Sequence, residues 1–151
     1  MVKRIFIEKR NGFNIPAQNL LEDFRETIGI KNLNSVRLFV RYDIEDLSDE
    51  DFLKVRDIVF REPNADNFFY ELPKEIDLKK TFAVEYLPGQ FDQRADSAAQ
   101  CVQLVTGKDR PTIHSAQVIF LDGDISNEDF QKIKSYSINA IESREASFEI
   151  P

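Results

Sequence analysis

Apolar residues alternate with polar ones along Arg4–Ile5–Phe6–Ile7–Glu8–Lys9, with Ile5 and Ile7 on one side, and this period of two predicts a short strand. A turn at Asn11–Gly12–Phe13 follows, where glycine supplies the backbone freedom a tight reversal needs. Leu20, Leu21, Phe24 and Ile28 then recur at helical spacing, and Gly29 stands where that helix should stop. The period of two returns at Val36–Tyr42. Val36, Leu38, Val40 and Tyr42 define a buried face, while Arg37 and Arg41 define a more polar one that Phe39 interrupts. A second helix opens at Ser48, carries the stripe Phe52, Val55 and Val59, and ends near Glu62–Pro63. The extended piece Phe68–Leu72 closes the series.

The same order then repeats. Phe82–Leu87 reads as a strand, and Pro88–Gly89–Gln90–Phe91 as a turn. Ala98, Cys101, Val102 and Val105 form a helical stripe ended by Gly107, and Ala116–Leu121 is a strand apolar enough to be covered on both faces. A helix with the stripe Phe130 and Ile133 follows, and Ser147–Ile150 is the last extended piece. Asp46–Val55 returns as Asp124–Ile133, 78 residues later, with six of ten positions identical. Gly29 maps onto Gly107 and Tyr70–Pro73 onto Phe148–Pro151 at the same offset, whereas the turn glycines Gly12 and Gly89 are 77 apart, so a one-residue insertion or deletion lies between. Such a register indicates duplication. The expected fold is α+β: two β-α-β-α-β repeats, 1–73 and 81–151, form one pseudo-dimeric domain over 1–151, with a mainly antiparallel sheet and helices on one face. Each repeat alone is small enough to be marginal, and pairing would bury both.

The net charge of −7 disfavours nucleic-acid partners. A single cysteine forbids an intramolecular disulfide, which fits a cytoplasmic protein. No apolar run is long enough to span a membrane, and no signal segment precedes the first strand.

Candidate chemistry is sparse. The acids at 43–51 and 122–129 suggest a metal, and Asp122–Gly123–Asp124 faintly resembles a calcium loop, but the regular ligand ladder is missing. Helix capping explains them better: Ser48 and Ser126 are placed as N-caps, with Asp51 and Asp129 in capping-box positions. No metal is therefore expected. His114 has no evident nucleophile or orienting acid, and Cys101 among small apolar residues reads as a buried hydrophobe. The segment Leu87–Cys101 is different. Pro88, Gly89, Gln90, Phe91, Asp92, Gln93, Arg94 and Ser97 combine a turn with clustered hydrogen-bonding groups at a helix start, and the first repeat has only Gly12–Gln18 there. Gln93, Arg94 and the backbone NH groups could meet an anion or a partner carboxylate; an ordinary solvated turn is the competing account.

Phe82–Ser97 resembles the amino-terminal region of the phosphoribosylformylglycinamidine synthase family in its long single-chain form, and Arg4–Arg10 and Glu142–Ser147 are similar to it as well. The resemblance implies a PurS-like, internally duplicated domain of an ATP- and glutamine-dependent amidoligase, which converts formylglycinamide ribonucleotide to the amidine in purine biosynthesis. It also implies partners in the linker, synthetase and glutaminase domains of a parent chain. ATP and Mg would belong to the synthetase domains, leaving this segment with no cofactor and no catalytic residue of its own. The chain is thus expected to be an excised assembly domain, inactive alone. The alternative is a free-standing PurS-type module that bridges separate synthetase and glutaminase subunits.

Overall fold

The structure, a computed structural model, describes residues 1–138 and 143–151. It is an α+β fold with strands β1 (Lys3–Lys9), β2 (Leu33–Glu45), β3 (Asp66–Phe69), β4 (Thr81–Tyr86), β5 (Thr112–Gly123) and β6 (Ser143–Glu145). Four α-helices accompany them: α1 (Ile15–Glu26), α2 (Asp49–Val55), α3 (Gln93–Thr106) and α4 (Asn127–Ser137). A π-helical turn, Arg56–Phe60, extends α2 towards the predicted stop at Pro63. The strands form one antiparallel sheet in the order β3-β1-β2-β5-β4-β6. The central pair β2–β5 is the longest, running from Glu45 opposite Thr112 to Leu33 opposite Gly123. No helix among the described residues is long and apolar enough to cross a membrane.

One face of the sheet carries all the helical packing, in two clusters. Ile5, Ile7, Tyr42 and Ile44 meet Phe52 and Val55 of α2 and Ala95, Ala98, Ala99 and Val102 of α3. Val36, Phe82, Ile119 and Leu121 meet Phe24 of α1 and Ile133 of α4. Each cluster therefore joins one helix from before the connector at residues 70–80 to one from after it. The alanines of α3 let it lie close to the sheet. The bulky anchors Phe24, Phe52 and Phe82 are fully buried, and each contributes about 1.5–3 kcal/mol from burial.

The opposite face differs from the sequence expectation. Arg41 and Asp43 on β2 are buried, at 4% and 7% exposure, beside Phe39. Two segments without α-helix cover this face: the connector through Ile76, and the carboxy-terminal stretch through Ala146 and Phe148. Arg4 grips Asp43 with two bonds (Nε–Oδ1 2.7 Å, Nη2–Oδ2 2.9 Å) and donates from Nη1 to Phe148 O at 2.6 Å. Arg41 Nη1 donates to Ser147 O at 2.8 Å. Arg37 ties Glu8 to Glu75 of the connector. The alternating arginines thus hold covering chain segments, and do not mark a solvated face.

That cover also relocates the last strand. The expected strand Ser147–Ile150 is a strap over the sheet, and β6 lies earlier, with Glu145 opposite Val84. Glu142, part of the similar segment Glu142–Ser147, lies outside the described residues. Cys101 is exposed, and Val105 is 44% exposed. The buried stripe of α3 is instead Ala95, Ala98, Ala99 and Val102, one step round the helix from the expected one.

Candidate functional site

The two copied acidic stretches are separate, each at its own helix start. Ser48 Oγ accepts from Asp51 N at 3.1 Å, and Ser126 Oγ accepts from Asp129 N at 3.0 Å. The return bond of a capping box is not formed at Ser48. Asp51 turns to α3's side, where Lys108 Nζ donates to its Oδ2 at 2.8 Å. The hydrogen bond from Lys108, opposed by partial burial, holds the Asp51 carboxyl below its usual range. Among the described residues no three His, Cys, Asp or Glu side chains are gathered as a metal site. His114 lies exposed on β5 opposite Asp43.

The segment Pro88–Ser97 is divided by the structure into an outer and an inner part. Pro88, Gly89 and Gln90 form an exposed turn closed by Gln90 N donating to Leu87 O at 2.9 Å, and Phe91 beyond it is 66% exposed. Asp92 is structural: its Oδ1 accepts from Ala95 N at 3.0 Å, capping α3, and its carboxylate accepts from Ser115 N at 2.9 Å and from Ser115 Oγ. This carboxylate fixes the start of α3 against β5. Gln93, Arg94 and Ser97 follow on the first turn, and all three line a cavity of about 520 Å³ with Tyr86, Ser115, Gln117 and Ser137.

Arg94 and Gln117 also line a larger cavity, of about 890 Å³, between the start of α1, the end of β1 and the π-helical turn. Its floor is Val36, Leu38, Val40 and Tyr42, the helix-side face of β2. Arg94 stands beside the Tyr42 hydroxyl. Burial raises the Tyr42 phenol above its ordinary range, and the Arg94 guanidinium pulls it back. The charges along this cavity are largely matched: Lys9 with Asp66 at 2.8 Å, Arg61 with Asp57 at 3.4 Å, Arg37 with Glu8 at 2.7 Å. Among the described residues the Arg10 side chain donates to the neutral Asn67 and meets no carboxylate within 4.0 Å. Among the described residues, no carboxylate lies within 4.0 Å of the Arg94 guanidinium.

The sequence marked Arg94, Gln93 and Ser97 but missed Gln117 and Tyr42. The signal for Gln117 was present as a lone amide inside the apolar run Ala116–Leu121. Gln117 is exposed although its neighbours Val118, Ile119 and Leu121 are buried, because the helices part above it. Chemically, the arrangement offers a guanidinium, a phenol and amides around an apolar floor, which suits polar recognition. The chain matches no known protein-family model, and no curated protein matches it either.

Proposed function

We propose that this chain is an assembly domain built by duplication, the PurS-like amino-terminal part of a phosphoribosylformylglycinamidine synthase. It would act in the cytoplasm by docking onto the synthetase and glutaminase parts of its enzyme. The observation that carries this reading is the strand order β3-β1-β2-β5-β4-β6, in which β1, β2 and β3 stand as β4, β5 and β6 do about the centre of the sheet. Val40 pairs directly with Gln117, the residue 77 positions later, and Ile5 with Tyr42 is matched by Phe82 with Ile119 at the same offset. A two-fold relation between repeats requires such pairs. The helix caps Ser48 and Ser126 are 78 apart, so one single-residue difference falls in the corner after β2 and β5, where Asp46 and Gly123 both take positive φ, and compensating ones flank α1 and α3, whose N-caps Asn14 and Asp92 and stop glycines Gly29 and Gly107 are also 78 apart. The segment Phe82–Ser97 supplies the likeness to the synthase family.

The copies differ most at the groove: Arg94 answers to Pro16, and Gln117 to Val40. In this reading the second copy has gained the docking contacts. The test is kinetic. In the full-length enzyme, Arg94→Ala should lower glutamine-dependent amidine formation while ammonia-dependent formation persists, because coupling is lost and synthetase chemistry is not. Equal loss of both rates, or no loss in either, would remove the docking role. Reading the coding sequence beyond Pro151 tests the parentage separately, through the presence or absence of a linker and an ATP-binding domain.

A further inference from the structure

We infer that the two cavities form one binding groove for an extended, acidic polypeptide segment, with a Glu or Asp side chain of that segment seated against Arg94. The inference goes beyond the assembly role and stands on geometry alone. The cavities, of about 890 and 520 Å³, share Arg94 and Gln117, so they meet over the middle of the sheet. The groove's hydrogen-bonding side chains, among them Asn14, Gln93, Ser97 and Gln117, are strung along its length. They do not converge on a point, as they would for a compact ligand. An extended backbone presents a donor and an acceptor at every residue, and carboxamides and hydroxyls satisfy both.

Charge selects the sequence of the segment. The protein as a whole carries −7, yet among the described residues Arg94 has no carboxylate partner and the Arg10 side chain donates to the neutral Asn67. Lys9 and Arg61 beside the same groove are paired with Asp66 and Asp57, Arg37 is held on the other face of β2 by Glu8 and Glu75, and the one lining carboxylate without a cation within 4.0 Å among the described residues is Glu62. A carboxylate entering the groove would therefore meet a guanidinium that no carboxylate among the described residues occupies, and could bind it through two parallel bonds. Alternate side chains of an extended segment would point down onto Val40 and Leu38.

The test uses the 151-residue protein, labelled with nitrogen-15, and a blocked pentapeptide of alternating Val and Glu. The expected result is a shift of the Gln117 carboxamide and Arg94 Nε–H signals. Affinity should fall about tenfold or more for the Val–Gln analogue, and by a similar factor for Arg94→Gln. Arg110→Gln, which removes an arginine paired with Asp96 and lining neither cavity, should bind as the parent does. Thermal unfolding of each variant verifies that it is folded. Absence of any shift at peptide concentrations of about 1 mM would overturn the inference, as would equal binding of the Val–Gln analogue or of Arg94→Gln. Glutarate shifting the same signals with equal affinity would also overturn it, by marking a small-anion site.

Discussion

Ser48 and Ser126 each satisfy one backbone NH at the start of a helix, and alanine at either should cost about 0.5–2 kcal/mol in urea unfolding. Asp51 adds a pH dependence through Lys108, which reaches its carboxylate at 2.8 Å. Its folded-state pKa lies below its unfolded value of about 4. Its contribution is therefore present above that value and is lost as pH falls through the folded one. Asp51→Asn should flatten the acid limb of the stability–pH curve, and an unchanged limb would exclude the Lys108 pair as its source. The buried arginines on the other face behave differently. Arg4 makes a two-pronged grip on Asp43, whereas Arg41 Nε lies 4.0 Å from Asp43 Oδ2 with no hydrogen bond among the described residues, and burial pushes the Arg41 guanidinium down. Arg4→Met should cost about 3–5 kcal/mol by stranding a buried carboxylate, and Arg41→Met should be close to neutral. Equal costs in denaturant unfolding would refute the distinction.

At the scale of elements, the corner between β5 and α4 is the tightest fit. Gly123 has φ +151°, and a Cβ there would meet Asn32 O at 2.5 Å and Leu33 Cα at 3.0 Å, both backbone atoms that cannot swing aside. Gly123→Ala should destabilise by about 1–3 kcal/mol, whereas Gly12→Ala, at a positive φ with open space around its Cβ, should owe its cost to backbone strain alone. Measured melting temperatures would separate the two. The elements themselves were largely legible, because period-two and helical spacings are local properties of Ile5–Ile7, Val36–Tyr42 and Phe52–Val55. The faces were less so. The arginines of β2 looked solvated because their cover arrives from residues far along the chain, at Glu75 and Ser147. Phe148 and Ile150 looked like a strand because alternation is the same for a strap lying on a sheet as for a strand within it. The groove was half legible: Arg94 stood out by composition, but Tyr42 and Gln117 become neighbours of it only through the β2–β5 pairing.

For the whole molecule, the mixed clusters make the chain one cooperative unit. Phe52 of α2 shares its cluster with Val102 of α3, and Phe24 of α1 shares its own with Ile133 of α4. Phe24→Ala should therefore lower the single unfolding transition by about 3–5 kcal/mol, and should not melt the first half alone. Separately expressed segments 1–80 and 81–151 should each show little cooperative unfolding, and mixing them should restore it. The same sharing of helices sets a timetable for synthesis. When Lys80 has left the ribosome, α2 still has no companion helix, and β2 is a long open edge, the kind of surface that recruits unwanted strands. Ile5, Ile44 and Phe52 must wait until Val102 emerges, a delay of roughly a few seconds at ordinary elongation rates. During that interval the nascent chain is a natural client for chaperones, and slow codons between the halves would lengthen its exposure without altering a single residue of the finished protein.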